Sequence, residues 1–214
     1  MKSLSACQLK NMLIRVCDDI INSKSLLTEV DSAIGDGDHG IGMETGMKKA
    51  KAALEMTDSE NVYEYFKLMG KSMLMSMGGA SGVVFGSMFL SGGRNNDSIS
   101  SINLKQLGEV FLNSLNEIKV RGGARVGDKT MVDALEPAVY ALVNSKDDSI
   151  LIGLSDAADA AKKGVESTKN FEAKFGRAKT QGSTIGYQDP GATSVWLIFN
   201  SMKDYVAELT NELG

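Results

Sequence analysis

Three aspartates, Asp31, Asp36 and Asp38, lie close together in one glycine-rich stretch, DSAIGDGDHGIG. Carboxylates repel one another, and Mg²⁺ is a hard cation that takes oxygen ligands and usually keeps phosphates and waters in its shell. The intervening glycines allow the backbone to fold so that the three carboxylates converge. The stretch therefore predicts a magnesium site. The alternative is a solvated turn, since exposed aspartates are common in turns.

A calcium loop of the EF-hand type is excluded. That loop needs a third acidic or amide ligand before its glycine and a glutamate at its twelfth position. Asp36 and Asp38 supply only the first pair, and His39-Gly40-Ile41 breaks the rest. His39 is the only histidine of the chain. A lone histidine is more often structural. Its place in this loop nevertheless favours contact with the ligand that the metal ions bind. Phosphorylation of its ring is disfavoured by the neighbouring carboxylates unless magnesium intervenes.

Three further segments are candidates for phosphate binding. GGASG at 78–82 offers backbone N–H groups at a helix start, which attract anions. GGARVGDKT at 122–130 nearly matches a P-loop, but Asp128 separates the second glycine from Lys129, and the segment follows a helix. A Walker-type NTPase is therefore rejected. Arg177 is a candidate phosphate clamp, with a solvated loop charge as the simpler interpretation. Asp189-Pro190-Gly191 reads as a turn before a helix.

Helices must position these loops. Apolar residues recur at three- and four-residue spacing, and sustained period-two alternation is absent. The pattern predicts an all-α chain of about eight helices. They lie near residues 9–20, 42–56, 61–76, 83–91, 103–118, 129–145, 151–168 and 195–209. Asn103 is the expected N-cap of the fifth, with Gln106 three residues on.

Four glycine-rich joints, at 31–42, 78–82, 122–129 and 176–191, separate these helices. A plain helical bundle needs little more than short connections. Four elaborate joints together indicate that loops at one end of the bundle build a site. The alternative for each joint alone is a helix C-cap followed by a turn.

Composition limits the functional classes. The 214 residues are 43% hydrophobic, enough for one core, and one domain spanning 1–214 is expected. A net charge of -4 and a pI of about 5.1 argue against nucleic-acid binding. An acidic chain that binds a polyanion needs local positive groups or cations. Cys7 and Cys17 are expected to be unpaired thiols, buried or half-buried, in a reducing cytosol. No apolar run approaches a membrane span, no signal peptide is evident, and a cytoplasmic location is expected.

The ordered motifs IGDGDHGIGM, GGASGVVFG, GDKTMVDALEPA, GRA and QDPGATS resemble the DhaL-type subunit of dihydroxyacetone kinases. The resemblance spans nearly the whole chain. It implies a barrel-like antiparallel bundle of eight helices with an adenine nucleotide, ADP or ATP, at one end. It also answers the charge problem, because magnesium ions would join the carboxylates to the phosphates.

The resemblance further implies which residues bind. The metal ligands for two Mg²⁺ would be Asp31, Asp36 and Asp38. The nucleotide pocket would be lined by His39, Gly40, Ile41, Gly42, Ala80, Ser81, Gly122, Met131, Arg177, Asp189, Pro190 and Gly191. Arg177 would also act catalytically, by offsetting negative charge that develops during phosphoryl transfer. Gly42 departs from relatives that often carry asparagine there, and the loop KTQGSTIGY also differs from them.

The resemblance covers two kinds of kinase. In one, the nucleotide stays bound, a phosphohistidine carrier of the phosphotransferase system rephosphorylates ADP, and a second subunit holds dihydroxyacetone. In the other, ATP is an exchangeable substrate and the unit is fused to the ketose-binding domain. A lone unit with one histidine favours the first, active only with partner subunits and expected as a homodimer. The alternatives are an ATP-dependent kinase subunit for a related triose or tetrose, a nucleotide-sensing subunit that contacts a transcriptional regulator, and a silent helical scaffold.

Overall fold

The computed structural model describes residues 1–94, 96–180 and 182–212. Asn95, Gln181 and the last two residues, 213 and 214, lie outside this description, so part of the KTQGSTIGY loop does too. Within the described residues the elements are β1 (Ser3–Ser5), α1 (Ala6–Asn22), α2 (Lys24–Ser32), α3 (His39–Glu55), α4 (Val62–Ser76), α5 (Gly79–Gly92), β2 (Ser101–Asn103), α6 (Leu104–Gly122), α7 (Val132–Val143), α8 (Ile150–Thr168) and α9 (Pro190–Glu212).

Eight of the helices form a closed ring. From α3 to α9 each helix packs on the next in sequence, and α1 closes the ring by packing on both α3 and α9. Short connections make sequence neighbours antiparallel. The short helix α2 joins α1 to α3 and also packs on α3 and α9. The expected barrel-like antiparallel bundle is confirmed, with α2 as an additional helix.

Aromatic side chains fill the middle of the ring. Phe66 of α4, Phe111 of α6 and Phe199 of α9 are fully buried. The Phe111 ring lies 6.3 Å from Phe66 and 5.0 Å from Phe199 between centroids. Offset and edge-to-face aromatic pairs at such distances stabilise a core beyond the area they bury. The predicted apolar face of α1, including Leu9 and Ile20, is also fully buried.

One end of the barrel is held by a small antiparallel ribbon. β1 pairs with β2, with Leu4 opposite Ile102. Three backbone bonds extend the ribbon: Ala6 donates to Ser100, Val62 to Ile99, and Ile150 to Met1, at 2.9, 3.0 and 3.0 Å. The helices α1, α4, α6 and α8 therefore all begin here. We call this the ribbon end.

The opposite end carries the glycine-rich joints. Because neighbouring helices are antiparallel, α3, α5, α7 and α9 begin there. We call it the open end, and it comprises the connections 33–38, 77–78, 123–131 and 169–189. The topology thus places all four glycine-rich joints at one end.

Several predicted details differ from the structure. The ribbon and α2 were not expected, and helix starts shift by up to five residues, as at α9, which begins at Pro190. The start of α5 shifts by four residues, so most of GGASG forms its first turn rather than a loop. Both cysteines are free as expected, but Cys7 is exposed because it lies on the outer face of α1. None of the described helices has the length and apolar character needed to cross a membrane.

Candidate functional site

The three aspartates converge at the open end. Each offers a carboxylate oxygen, and these oxygens all lie within 4.8 Å of one another. Asp31, in the last turn of α2, is buried, whereas Asp36 and Asp38 are exposed. Gly35 lies against the Asp31 carboxylate so closely that a Cβ would collide with it, and Gly37 has a φ of 76°. Both glycines are therefore required for the loop to fold back on Asp31.

The electrostatics of this cluster suit a divalent cation. Burial, followed by the charges of Asp36 and Asp31, raises the pKa of Asp38 above its usual range. Like charges held close together disfavour the ionised form, and a bound cation reverses that effect. The donors are all carboxylate oxygens, which is the ligand type that Mg²⁺ prefers. The residues present fit such an ion.

Arg177 reaches this cluster from the other side of the open end. It begins a short 3-10 turn, Arg177–Thr180, in the connection between α8 and α9. Its Nε lies 2.7 Å from Oδ2 of Asp36, and its side chain is 73% exposed. A residue that sequence spacing alone left as a solvated charge is thus beside the carboxylates.

His39 joins three helices. Its backbone N–H donates to Asp31 at 3.1 Å, its Nε2 lies 2.8 Å from the Ser194 hydroxyl, and its Nδ1 lies 3.4 Å from that of Ser81. These partners connect the starts of α3, α5 and α9. Burial lowers the pKa of His39 to about 4, against the opposing charge of Asp31, so the ring is neutral at neutral pH.

Within the described residues, most helices that begin at the open end lack a side-chain hydrogen bond from the N-cap residue itself. Within the described chain, α3, α5 and α7 have no side-chain hydrogen bond at their N-caps, Asp38, Gly78 and Met131. At α9, Asp189 accepts from the Ala192 N–H at 2.7 Å. The first N–H groups of a helix and its dipole attract anions. Two of these first N–H groups are already bonded: that of His39 to Asp31, and that of Val132 to the Thr130 hydroxyl. The start of α5 has no such bond among the described residues, so it is the start best suited to phosphate.

Glycines keep parts of the open end accessible. A Cβ at Gly78, Gly79, Gly122 or Gly123 would meet no atom of the described chain within 4 Å. Gly79 and Gly123 also have positive φ values of 68° and 69°. By contrast, Gly82 packs against Met77, where a Cβ would lie 2.7 Å from the carbonyl oxygen. The open glycines therefore leave backbone exposed to a ligand.

The turn before α9 is packed against the start of α7. A Cβ at Gly191 would lie 3.3 Å from that of Met131. Asp189 is buried, and burial raises its pKa to about 7, although the Ala192 N–H lowers it. Met131 and the Asp189-Pro190-Gly191 turn, both predicted from the sequence, are neighbours.

The remaining predicted residues lie at the same end. Gly40 packs against α2, Ile41 is 52% exposed, and Gly42 donates its N–H to Asp38 at 2.9 Å. Ala80 is exposed in the first turn of α5. Gly122 ends α6 and is exposed, but no described contact joins it to the carboxylates.

Sequence reasoning missed the role of Lys129. Its side chain is 2% exposed, and its ammonium donates to the carbonyls of Thr168, Thr184 and Tyr187 at 2.7, 2.8 and 2.5 Å. The P-loop interpretation was rightly rejected, since this ammonium is directed into the protein. Asp133 and Ser194 were also missed. Both stand in the motifs DKTMVD and QDPGATS, and that was the available signal.

Comparison with known proteins gives a consistent result. The family described as "DAK2 domain" matches residues 33–204. The PEP-dependent dihydroxyacetone kinase ADP-binding subunit DhaL of Escherichia coli is 36% identical over 94% of this chain and 97% of its own length. Subunit DhaL of kinase 1 from Listeria innocua is 38% identical, covering 84% of this chain and 86% of that protein.

A solved structure is also similar. It is the dihydroxyacetone kinase of C. freundii in complex with AMP-PNP and Mg²⁺, with a TM-score of 0.72 and 25% sequence identity. The match covers 95% of this chain and 34% of the kinase chain. This chain therefore corresponds to about a third of that larger protein.

Proposed function

The chain belongs to the DAK2 domain family, and on that basis we propose that it is a single nucleotide-binding domain serving as the ADP-binding subunit of a dihydroxyacetone kinase. In this role it would relay a phosphoryl group through Mg²⁺-bound ADP and ATP to dihydroxyacetone on a partner subunit. The observation that carries the proposal is the meeting of three carboxylates and Arg177 at the end where, among the described residues, α5 begins without a side-chain cap.

The aspartates would hold the metal ions. Asp31, Asp36 and Asp38 supply the oxygen donors for two Mg²⁺, which when bound neutralise phosphate charge. Asp31 also fixes the start of α3 through the His39 N–H. The same carboxylate that would bind a cation thereby sets where the N-terminus of α3 points.

The nucleotide would be bound mainly by backbone. His39 to Gly42, Ala80 and Ser81 provide the first turns of α3 and α5, and Gly122, Met131 and the Asp189–Gly191 turn complete the pocket. Preorganised N–H groups need no reorganisation when a phosphate arrives. A pocket of this type suits an acidic chain because it does not depend on a basic patch.

Arg177 is the side chain proposed to act on the transferred group. Phosphoryl transfer needs positioning and charge stabilisation more than covalent chemistry. An exposed guanidinium next to Asp36 is placed to bind phosphate oxygens and offset their charge. His39 would act neither as acid nor as phosphoryl carrier, because it is buried, neutral and bonded at both ring nitrogens.

The chain needs partners for this reaction. The one histidine of these 214 residues is taken up in the site, so the ketose and the phosphohistidine would be held by other subunits. Identities of 36% and 38% to subunits named as PEP-dependent support the phosphotransferase-system branch over free ATP. A homodimer, a cytoplasmic location and a contact with a transcriptional regulator belong to the same proposal. Donor assays with a phosphorylated carrier protein or with ATP, each supplied with dihydroxyacetone or erythrulose, separate the branches and the ketoses.

Calorimetry tests the proposal. ADP should bind near one equivalent when Mg²⁺ is present and should not bind when it is chelated. Asp36→Ala should weaken ADP binding more than about 100-fold, beyond the 10- to 100-fold typical of residues that only support a metal ligand. Asp58→Ala is the matched control, since Asp58 is 98% exposed and pairs with Lys10 at the ribbon end.

The outcome that rejects the proposal is simple. Wild-type protein that binds no adenine nucleotide with Mg²⁺ present would exclude a nucleotide subunit. Equal affinities for Asp36→Ala and Asp58→Ala would remove the aspartates from the site.

A further inference from the structure

We propose that Lys129 is a positioning residue for phosphoryl transfer, acting through the backbone of the α8–α9 connection and not on the nucleotide. The inference rests on the proposed function and deepens it. Arg177 and the Asp189–Gly191 turn both lie on this connection, on either side of the segment that Lys129 holds.

The ammonium of Lys129 is fully used inside the protein. It has three N–H donors, and three carbonyl oxygens accept from it within 2.8 Å: those of Thr168, Thr184 and Tyr187. A lysine that binds phosphate keeps its ammonium directed at the ligand. With its donors spent on carbonyls and its side chain 2% exposed, Lys129 is built to hold backbone.

The three carbonyls explain why a cation is needed. Thr168 is the last residue of α8, where carbonyls lack helical partners and carry the negative end of the dipole. Thr184 and Tyr187 belong to the connection that follows. One ammonium therefore joins the end of α8 to the path that leads into α9. Burial lowers the pKa of Lys129, while the charges of Asp189, Glu172 and Asp133 oppose that effect.

The backbone of Lys129 is itself fixed in an unusual conformation. Its φ is 57°, a left-handed value that non-glycine residues rarely adopt. Asp133 accepts N–H bonds from Gly127 and Thr130, and Asp128 accepts one from Arg125. The turn is therefore held on both sides of Lys129. This arrangement aims its side chain inward at the expense of local strain.

The connection is closed around the same point. Glu172 accepts from the N–H and hydroxyl of Thr184, both at 2.9 Å, and the Thr184 hydroxyl accepts from the Ala173 N–H. The Asp189 N–H donates to the Thr168 hydroxyl at 2.9 Å. Arg177 lies in the segment between Ala173 and Thr184 that these bonds close, and Asp189 lies after the end of that segment. Loss of the ammonium would release both.

Hydrogen exchange of the full chain tests this without any partner subunit. Lys129→Met keeps the side-chain length and removes the donors. We expect the amides of Ala173, Thr184 and Asp189 to exchange about tenfold faster or more, as locally opened segments do. Amides of Val62 and Ile150 at the ribbon end should keep their wild-type rates. Lys169→Met is the control, since among the described residues the Lys169 ammonium pairs with Glu166 on the surface and with no carbonyl of the connection.

Two results would overturn the proposal. Unchanged exchange across the described parts of 169–189 in Lys129→Met would show that the ammonium does not set this path. Equal acceleration at both ends would show that it supports the whole fold. If Lys129→Met does not fold, Lys129→Arg decides. Arginine keeps the positive charge, but its planar guanidinium does not match three separate carbonyls, so the Thr184 amide should still exchange faster than in the wild type. Exchange at the wild-type rate in Lys129→Arg would count against the proposal.

Turnover links this role to the reaction. With partner subunits supplied, we expect Lys129→Met to lower kcat roughly 10- to 100-fold while the apparent KM changes less, the pattern of a misplaced catalytic group. Lys129→Arg should recover part of the loss. A change in KM alone would contradict positioning. If wild-type protein binds no ADP, the proposed function fails, while faster exchange in Lys129→Met would still establish the backbone role.

Discussion

The two ends of the barrel treat helix N-termini in opposite ways. At the ribbon end every helix start is capped by a side chain: Ser5 for α1, Asn61 for α4, Asn103 for α6 and Ser149 for α8. At the open end the N-cap residues of α3, α5 and α7 make no such bond within the described chain. Asp31 and Thr130 instead accept the first N–H groups of α3 and α7, so α5 is the least capped start. An N-cap contributes about 1 kcal/mol of stability. The ribbon end therefore stabilises the fold, and at the open end the start of α5 leaves donors without a side-chain cap in the described chain.

The same contrast appears in the glycines and the charges. Gly92 and Gly93 near the ribbon end are packed against Val110 and Tyr63, whereas Gly78 and Gly122 at the open end face open space. Clustered carboxylates lie at the open end, and paired ones such as Asp58 at the ribbon end. A protein that binds a polyanion through cations needs unsatisfied groups of both signs in one place. The residues that stabilise the fold and the residues proposed to bind the ligand therefore lie at opposite ends of the barrel.

The sharpest test of this division removes Arg177. Arg177→Ala should lower phosphoryl-transfer turnover by about 1,000-fold, the lower range of what a transition-state arginine contributes. The Arg177 side chain is 73% exposed in its ion pair with Asp36, so the free energy of unfolding should barely change. Stopped-flow turnover with partner subunits and thermal unfolding measure the two effects.

Arg15→Ala is the control for that experiment. Arg15 pairs with Asp19 and Glu208 and so joins α1 to α9, away from the open-end loops. Its loss should leave turnover unchanged. Similar turnover for both variants would mean that the open end does not use Arg177 chemically.

The opposite test acts on the ribbon end. Leu4 lies on β1 opposite Ile102 and is fully buried. Leu4→Ala should reduce the free energy of unfolding by roughly 2–5 kcal/mol through lost burial and a residual cavity. ADP affinity of the folded protein should stay at the wild-type value. Urea unfolding measures the stability change, and calorimetry measures the ADP affinity. Met75→Ala, at a 78% exposed site near the open end, is the control and should change neither quantity.

Sequence patterns could predict the all-α class and most of the helices because these helices are long and periodic. The barrel-like arrangement was expected from the resemblance. The apolar face of α1 and the Asn103 cap with Gln106 were both identified and are present. The ribbon was missed because three residues per strand are too few to show alternation. Helix α2 was missed because only Leu27 and Asp31 of its nine residues are buried, which leaves no apolar stripe.

The candidate site was predictable only in part. Clustered aspartates and glycines can be read from local spacing. The burial of Lys129 depends on carbonyls 39, 55 and 58 residues away in sequence, and no local pattern carries that information. The placement of Arg177 beside Asp36 likewise follows from the closure of the barrel.

Smaller changes in the free energy of unfolding are expected when polar side chains at the helix starts of the two ends are removed. Asn103 accepts from the Gln106 N–H at 2.9 Å and Gln106 returns a bond to the Asn103 N–H. Asn103→Ala should cost about 1 kcal/mol of unfolding free energy. Ser81→Ala removes only a 3.4 Å contact with His39 in the first turn of α5 and should cost less than about 0.5 kcal/mol. Equal losses in chemical denaturation would break the contrast between capped and uncapped ends.

The last comparison concerns two glycines that each end a helix and whose substitutions should have opposite effects. Gly122 ends α6 at the open end, where an added Cβ would meet no other described part of the chain within 4 Å. Neither Gly122 nor Gly92 has a positive φ. Gly122→Ala should therefore raise the free energy of unfolding by about 0.5 kcal/mol, since alanine restricts the unfolded chain and favours helix. It should also weaken ADP binding, because a methyl group would occupy the backbone surface proposed for the nucleotide.

Gly92 provides the matched measurement. It ends α5 at the ribbon end, where an added Cβ would lie 2.8 Å from the Val110 carbonyl oxygen. Gly92→Ala should destabilise by about 1–3 kcal/mol through overpacking and leave ADP affinity unchanged. Opposite signs of the stability change, with the affinity loss confined to Gly122→Ala, would show that the open end gives up stability for ligand access. Destabilisation by both substitutions would mean that Gly122 is retained for its backbone conformation and not for the ligand.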